Sequence, residues 1–287
     1  AAAGDTISVA AGTYTGDLVI NKADLNLVGA GASTTTIKGV AMTPSASWPA
    51  GTPNIEVLAS GVRIHGFTIE SPNAVLNFAS LGMIIGGDIV EIYDNVFRMA
   101  SAANASDGSQ AIVTYRDGNN VTGGSVNDLN IHNNTFKSFG ATGVGYEGIF
   151  INHTLTDPTP SGMVTIANNI FSWVAGEAKL LRGITTERSK VNITGNTIVT
   201  ELALAGGYFQ GVNVQDYSGR AQQDVTISGN IVAGFVHSVS GANQNLFIGP
   251  AVTGTVANNF LTQDNLVTGG TGLVYGGNND VVSTTLV

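Results

Sequence analysis

The chain has 287 residues, of which 43% are hydrophobic and 11% charged, so it can bury a core and is not expected to be disordered. Its net charge of −9 includes only 11 Lys and Arg, which argues against a nucleic-acid partner, because phosphate binding depends on clustered cations. Cysteine is absent, which excludes disulfides, thiolate nucleophiles and Cys-bound metals, and no apolar run approaches the roughly 20 residues of a membrane-spanning helix.

Short segments with alternating apolar and polar residues, as in half-buried β-strands, recur along the chain. The pattern begins with GDTISVAAGTYTGDLVINKADLNLVGAG at residues 4–31 and continues with VRIHGFTI at 62–69. Six later octets add Asn at the sixth place: VEIYDNVF (90–97), LNIHNNTF (129–136), VTIANNIF (164–171), VNITGNTI (191–198), VTISGNIV (225–232) and GTVANNFL (254–261). These asparagines are Asn95, Asn134, Asn169, Asn196, Asn230 and Asn259.

A second set of alternating octets is interleaved with the first: QAIVTYRD (110–117), EGIFINHT (147–154), RGITTERS (182–189), QGVNVQDY (210–217), QNLFIGPA (244–251) and TGLVYGGN (271–278). Both sets recur every few tens of residues at unequal spacing, which is typical of a solenoid whose loops differ in length. Because each strand would pair with its counterpart one coil away, the sequence predicts an all-β parallel β-helix that forms a single domain over residues 1–287.

The repeated Asn marks a sharp corner between two strands of each coil. Asn tolerates the left-handed backbone conformation that such a corner can require. Asn side chains stacked in register can also hydrogen-bond from one coil to the next as a ladder. We therefore interpret the six asparagines as structural residues rather than ligand-binding residues.

The octets and residues 4–31 resemble the right-handed parallel β-helix superfamily, which includes pectate lyases, pectin methylesterases and many secreted surface proteins. Residues 4–31 are similar to the first coil of methylesterase-like members. The resemblance covers essentially the whole chain. It implies a single-stranded right-handed β-helix of about eight to ten coils, with an Asn ladder at one corner, and an extracellular or cell-surface location. It leaves the activity open, because one fold can carry many functions.

The ends of the coil stack suggest a partner. In this superfamily an amphipathic helix normally precedes the first coil, whereas only Ala1, Ala2 and Ala3 precede Gly4. At the other end, VVSTTLV (281–287) reads as one more strand. Open coil ends expose strand edges, so we expect that copies of the chain join head to tail through these ends.

Charged and titratable residues occur at the ends of the second set of octets. Stacking these octets places Arg116, His153, Glu187 with Arg188, and Asp216 on successive coils. A polysaccharide lyase needs a cation to neutralise the uronate carboxylate and a base for the neighbouring proton, and these residue types supply both. The alternative is that they form solvated ion pairs, each of which contributes little.

Two other features bear on catalysis. The segment SQAIVTYRDG (109–118) is similar to a Gln-Ala-Val segment of pectin methylesterases, but their Asp-Phe-Ile-Phe-Gly and Leu-Gly-Arg-Pro-Trp motifs are absent, so none of their catalytic residues is assigned. No acidic cluster for calcium stands out, so we expect no cofactor, with calcium open only for a lyase. Outward positions of the early octets concentrate Arg63, His65, Glu91, Tyr93 and His132.

Two functional classes remain open, and with them whether the chain is an enzyme. Low charge, the missing cap and the lack of a complete catalytic constellation favour a secreted or cell-surface structural protein. Such a protein would assemble head to tail into a fibre or lattice and contact carbohydrate on its outer face. The column from Arg116 to Asp216 and the superfamily resemblance favour the alternative, an extracellular lyase or hydrolase acting on an acidic polysaccharide. The sequence slightly favours the first class.

Overall fold

The computed structural model describes residues 1–40, 53–71, 81–100, 109–114, 126–139, 145–152, 160–173, 177, 180–200, 209–215, 222–235, 244–262, 266–268, 272–276 and 280–282. These residues form 29 β-strands, numbered β1 to β29 in chain order, and none of them lies in an α-helix. Across these ranges, accordingly, no helix is long and apolar enough to cross a membrane. The strands belong to three sheets, which we name sheet A, sheet B and sheet C.

Sheet A contains β1 Thr6–Val9, β4 Asn26–Gly29, β7 Arg63–His65, β10 Glu91–Tyr93, β13 Leu129–His132, β16 Val164–Ala167, β19 Val191–Thr194, β22 Gln222–Ser228, β25 Val252–Ala257 and β28 Gly272–Gly276. Sheet B contains β2 Gly12–Thr15, β5 Thr35–Lys38, β8 Thr68–Glu70, β11 Val96–Ala100, β14 Thr135–Phe139, β17 Ile170–Ser172, β20 Thr197–Val199, β23 Ile231–Ala233, β26 Phe260–Thr262 and β29 Asp280–Val282. Sheet C contains β3 Leu18–Ile20, β6 Pro53–Val57, β9 Leu81–Ile85, β12 Ser109–Thr114, β15 Tyr146–Ile151, β18 Leu180–Thr186, β21 Gln210–Val214, β24 Gln244–Ile248 and β27 Leu266–Thr268.

The chain visits the sheets in the order A, B, C and then returns to sheet A one coil further along. Each strand pairs in parallel with the strands three places before and after it, throughout the described part of the chain. For example, Ile131 on β13 lies between Ile92 on β10 and Ile166 on β16. The predicted all-β parallel β-helix is therefore confirmed.

Alternate residues of the sheet A strands face the inside of the coil. On β13, Leu129 and Ile131 are buried, whereas Asn130 and His132 are partly exposed. The inward side chains of successive coils form one continuous apolar core. The predicted division of each octet into inward and outward positions is confirmed for these strands.

An aromatic stack in the core faces a column of small residues on sheet C. The rings of Phe97, Phe136 and Phe171 stack with centroids 4.9 and 4.4 Å apart. The small residues occupy one register of sheet C: Gly82, Ala111, Gly148, Gly183 and Gly211. A Cβ added at Gly148 would overlap the Phe171 ring and the Gly183 carbonyl oxygen. Small residues are required here because the large side chains opposite already fill the coil.

The repeated asparagines form the predicted ladder at the corner between sheets A and B. From Asn95 to Asn230, each side-chain Nδ2 donates to the Oδ1 of the ladder Asn one coil further along, at 2.9 to 3.2 Å. Each Nδ2, including that of Asn259, also donates to a main-chain carbonyl of the preceding coil at 2.8 to 2.9 Å. All six side chains are buried. The ladder therefore satisfies polar groups that would otherwise be buried without partners.

The left-handed residue at this corner is the one before the ladder Asn, not the ladder Asn itself. Positive φ angles of 53° to 65° occur at Asp94, Asn133, Asn168, Gly195, Gly229 and Asn258. The sequence predicts both roles for one residue, and the structure divides them between two adjacent residues. The reason is geometric: the turn is made first, and the next residue can then direct its amide inward to the neighbouring coil.

The core is less complete at the first coil. Ile7, Val9 and Leu18 pack against it while only partly buried. Two cavities of about 240 and 310 Å³ lie beside these residues, and Leu27 lines both. The predicted head-to-tail contact between copies stays a prediction.

Candidate functional site

Of the five residues predicted at the ends of the second octets, Arg116, His153 and Asp216 lie outside the described residues, and their roles stay predictions. Glu187 and Arg188 are described and directly follow β18. Both are buried. This differs from the solvated ion pairs that the sequence analysis offered as the alternative.

Arg188 is held by main-chain carbonyl groups at the corner between sheets C and A. Its Nη2 donates to the Gly162 carbonyl at 2.8 Å, its Nε to the Ser189 carbonyl at 3.0 Å, and its Nη1 to the Val126 carbonyl. Gly162 and Val126 belong to the two preceding coils, so one guanidinium connects three coils. These contacts support a structural role, and we do not include Arg188 among the substrate-binding groups.

The predicted vertical alignment of the octet ends is present. The Glu187 main-chain N–H donates to the Ile151 carbonyl at 3.0 Å, and the Gln215 N–H donates to the Thr186 carbonyl at 2.9 Å. Asn152, Glu187 and Gln215 therefore lie above one another on three successive coils. The alignment gives Glu187 neighbours along the helix axis, while its catalytic role stays a prediction.

A different column of sheet C brings charge and amide groups together on the outer face. Gln110, Glu147, Arg182 and Gln210 share one register on β12, β15, β18 and β21, and we name them the outer polar column. Glu147 Oε1 accepts a hydrogen bond from Arg182 Nη1 at 2.7 Å, and Oε2 accepts one from Gln110 Nε2 at 3.3 Å. The Glu147 side chain is 2% exposed and that of Arg182 23%. A buried carboxylate is thus fixed by an arginine that reaches solvent.

The residues on either side of Glu147 face the core, which directs Glu147 outward. A Cβ at Gly148 would point at the core ring of Phe171. Tyr146 is fully buried, its hydroxyl donates to the Ser172 carbonyl at 2.8 Å, and burial raises the pKa of its phenol well above the usual range. Tyr146 therefore remains protonated and is not a base for the outer polar column.

Several buried polar atoms beside this column have no hydrogen-bond partner in the described part of the chain. They are Arg182 Nε, Gln210 Oε1, Thr185 Oγ1 and both amide atoms of Asn213. A buried polar group without a partner costs about 1 to 3 kcal/mol, and native proteins retain few of them. Five such atoms lie on two adjacent strands, β18 and β21, whereas the others are scattered over Asn26, Asn192 and Thr200.

The outward residues of sheet A also come together, but in a solvated arrangement. Arg63 Nε donates to Glu91 Oε2 at 3.1 Å, and His132 Nε2 lies 3.2 Å from Glu91 Oε1. The rings of His65, Tyr93 and His132 stack with centroids 4.4 and 5.1 Å apart. Burial, and secondly the charge of Glu91, raise the pKa of Tyr93 above its usual value. Exposed pairs of this kind contribute about 1 kcal/mol or less.

No metal centre emerges from the described residues, in which no three His, Asp or Glu side chains gather around a common point. The calcium that the sequence analysis left open for a lyase therefore stays a prediction.

Comparison with known proteins gives matches in structure rather than in sequence. No family model matches the chain, and no curated protein matches it. For three of the similar solved structures, the values in parentheses give the sequence identity, the coverage of this chain, the coverage of the other chain and the TM-score. They are the deglycosylated pectin methylesterase of Aspergillus niger (12%, 98%, 78%, 0.43), the rice weevil pectin methylesterase (11%, 98%, 83%, 0.46) and a PL6 alginate lyase in complex with a trisaccharide (12%, 93%, 56%, 0.47). The parallel β-helix follows from the parallel pairing within the three sheets themselves. At these identities and TM-scores the likeness assigns no activity.

Sequence reasoning missed the outer polar column of this β-helix, although the second octets contain its signal. Five octets begin with an amide or charged residue: Gln110, Glu147, Arg182, Gln210 and Gln244. Strict alternation hid this column because the two places that follow it in each octet both face the core. On β12, Ala111 and Ile112 are adjacent and both belong to the core, so the outward residues do not follow a period of two.

Proposed function

We propose that this β-helix is an extracellular or cell-surface protein that acts on an acidic polysaccharide as a lyase or hydrolase, with the outer polar column as its site. The observation that carries the proposal is the buried Glu147 carboxylate, which Arg182 and Gln110 hold beside polar atoms without partners. A buried ion pair with incomplete hydrogen bonding is poor at stabilising a fold. The same groups are suited to binding and transforming a uronate.

The first role belongs to Arg182. Its Nη1 is engaged with Glu147, whereas its Nε has no partner in the described part of the chain. A guanidinium matches the geometry of a carboxylate and stays charged, so Arg182 is suited to bind the uronate carboxylate through the unengaged edge. Such binding neutralises the carboxylate and stabilises the negative charge that develops when the adjacent carbon loses its proton.

The second role belongs to Glu147. A bound uronate competes with Glu147 for the guanidinium, which leaves a Glu147 oxygen able to accept a proton. In the lyase reaction this proton comes from the carbon next to the uronate carboxyl group. The C–H electron pair forms a carbon–carbon double bond, the glycosidic C–O bond on the next carbon breaks, and the leaving oxygen takes up a proton from solvent.

The lyase reaction fits the column better than glycoside hydrolysis. Hydrolysis of a glycosidic bond typically uses two carboxylates about 5 to 10 Å apart across the bond. Among the four side chains of the outer polar column, Glu147 is the carboxylate and Arg182 is the cation. One carboxylate beside one guanidinium is the set that proton abstraction from a uronate requires.

The test is an assay of the purified chain on polygalacturonate, alginate and a glucuronate-containing polymer. Ultraviolet absorbance detects the unsaturated uronate of a lyase, and new reducing ends without absorbance identify a hydrolase. We expect Glu147→Gln and Arg182→Met each to reduce the rate by about a hundredfold or more. The matched control is Arg98→Met, because Arg98 Nη1 forms a similar 2.6 Å pair with Glu70 on sheet B. It should leave the rate unchanged.

The possible results of this assay distinguish the proposed enzyme from the structural protein. If none of these polymers yields a product, the proposed function is wrong. The expected fibre is then the reading to test, and electron microscopy would show it as filaments or sheets. Full activity in Glu147→Gln places the site elsewhere. Arg116, His153 and Asp216 lie shortly after β12, β15 and β21 in the chain, so alanine variants of these three residues belong in the same assay.

A further inference from the structure

The outer face of sheet C carries a second column beside the outer polar column. It consists of Phe150, Thr185, Asn213 and Phe247, in one register on β15, β18, β21 and β24, and we name it the aromatic–amide column. Core residues flank Asn213 on both sides along β21, and successive side chains of a strand point to opposite faces. The column therefore points away from the core, as the outer polar column does.

The two polar members of this column are buried and unsatisfied. Thr185 is 1% exposed and Asn213 is 0% exposed. The Thr185 hydroxyl and both the Oδ1 and the Nδ2 of Asn213 have no hydrogen-bond partner within the described residues. A hydroxyl can donate and accept, and an amide offers two donors and an acceptor. Together they form a buried, neutral polar pair whose side-chain atoms have no partner among the described residues.

The two aromatic members lie at either end of this polar pair. Phe150 precedes Thr185 by one coil, and Phe247 follows Asn213 by one coil. Both rings are half-buried, so solvent reaches the column at these points. Aromatic rings beside a few convergent polar groups are typical of sites for small organic ligands with an apolar face, and a sugar ring is such a ligand.

The distance between the columns suits an oligosaccharide. Thr185 lies three residues beyond Arg182 on β18, which corresponds to about 10 Å along a strand. Asn213 has the same relation to Gln210 on β21. A chain of sugar units that places a uronate on Arg182 therefore extends to the aromatic–amide column.

We propose that Thr185 and Asn213, between Phe150 and Phe247, form a subsite that binds the hydroxyl groups of a sugar unit near the uronate held by Arg182. This inference rests on the proposed function for the identity of its ligand. The two residues determine which polymer is bound and take no part in bond breaking. The chemistry of the pair favours a neutral, hydroxyl-bearing face of the sugar.

The test uses apolar replacements of similar shape, Thr185→Val and Asn213→Leu. Neither removes a side-chain hydrogen bond found among the described residues, so we expect an unchanged or higher melting temperature. Each loses hydrogen bonds to the ligand, so the dissociation constant should rise about tenfold. The matched controls are Thr165→Val and Asn130→Leu, at partly exposed outward positions of sheet A, which should leave affinity unchanged.

Calorimetric titration with oligogalacturonate and oligoalginate measures affinity, and steady-state rates give KM and kcat. We expect KM to rise with kcat nearly constant. Unchanged affinity in both variants overturns the subsite, and so does a lower melting temperature with unchanged affinity. Lack of binding by the wild-type chain also overturns it. If the wild type releases no product yet binds an oligosaccharide more tightly than the variants, the subsite stands and the proposed function fails. Thr185→Val alone decides the question if Asn213→Leu does not fold.

Discussion

Two groups of buried polar side chains run along this β-helix, and they differ in how completely their hydrogen bonds are satisfied. In the Asn ladder, the amides from Asn95 to Asn230 each donate to the next coil. On the outer face of sheet C, Gln210, Thr185 and Asn213 are also buried, yet Gln210 Oε1, Thr185 Oγ1 and both amide atoms of Asn213 lack partners in the described part of the chain.

The difference comes from repetition. Asn both donates and accepts, so the same residue repeated in one register satisfies itself along the stack. The outer polar column changes from Gln to Glu to Arg to Gln on successive coils, so the same side-chain hydrogen bond cannot repeat from coil to coil. In this β-helix the repeated asparagines stabilise the fold, and the column whose polar residue changes from coil to coil is where we propose the site.

The largest expected effect is that of breaking the ladder with Asn169→Ala. Asn169 Oδ1 accepts from the Asn134 main-chain N–H at 3.0 Å, and its Nδ2 donates to the Ile131 carbonyl at 2.9 Å and to Asn196. The substitution leaves a buried N–H without an acceptor and a carbonyl without this donor. We expect a loss of about 4 kcal/mol in the free energy of unfolding, measured by urea denaturation.

The matched control is Asn213→Ala, at a position that is also fully buried. This variant removes no hydrogen bond within the described residues, and the loss of two polar atoms without partners offsets the small cavity that the amide leaves, so the free energy of unfolding should change by about 1 kcal/mol or less. Equal losses at the two positions would show that the ladder and sheet C do not differ in the way we describe.

The next effect concerns the small residues behind the outer polar column. Gly148→Ala adds a Cβ that overlaps the Phe171 ring and the Gly183 carbonyl oxygen. We expect the free energy of unfolding to fall by about 3 kcal/mol, with activity falling as Glu147 moves. The converse change, Ala111→Gly in the same register, should cost about 1 kcal/mol or less. A melting temperature unaffected by Gly148→Ala would contradict the packing described here.

A smaller effect is expected from the ion pair itself. Arg182→Met removes the cation 2.7 Å from the buried Glu147 carboxylate. Because Arg182 is partly exposed, we expect a loss of about 2 kcal/mol in the free energy of unfolding rather than the larger cost of a fully buried pair. Adding Glu147→Gln should restore part of this loss, since a neutral amide is less costly to bury. Strictly additive losses in the double-mutant cycle would mean that the two side chains are not coupled.

The fold was largely predictable from the sequence because its repeats align in one register. The sixth place of the octets holds the ladder Asn, and the first and third places hold the core residues. The left-handed residue was assigned one place too late, because tolerance of positive φ and ladder hydrogen bonding are both properties of Asn. Nothing in the sequence alone distinguishes which of two adjacent residues, such as Asn168 and Asn169, takes which role.

The candidate site was less predictable because it depends on contacts between coils. Arg188 reads as a surface cation, but carbonyl groups of two preceding coils, from Val126 and Gly162, surround it. Glu147 reads as the polar start of a strand, and the octets align it with Arg182, but the sequence does not show that its carboxylate is buried against the guanidinium. A residue's neighbour on the next coil is set by loop length and bulges, which period-two patterns do not encode.

The smallest effect concerns the corner that leads into sheet A. There Asp24, Asp128 and Lys190 have positive φ angles of 59°, 53° and 57°, and Ile89 occupies the equivalent place with φ of 56°. A β-branched residue is strained in this conformation, and Ile89 is also 63% exposed, so it gains little from burial. Ile89→Asn should raise the free energy of unfolding by about 1 kcal/mol.

The control for this prediction is Met163→Asn. Met163 also precedes a sheet A strand and is exposed, but it has no positive φ angle. The same substitution should therefore give no gain at Met163. A stabilisation of similar size at both positions would mean that removing an exposed apolar side chain, and not relieving a left-handed backbone, produces the effect at Ile89.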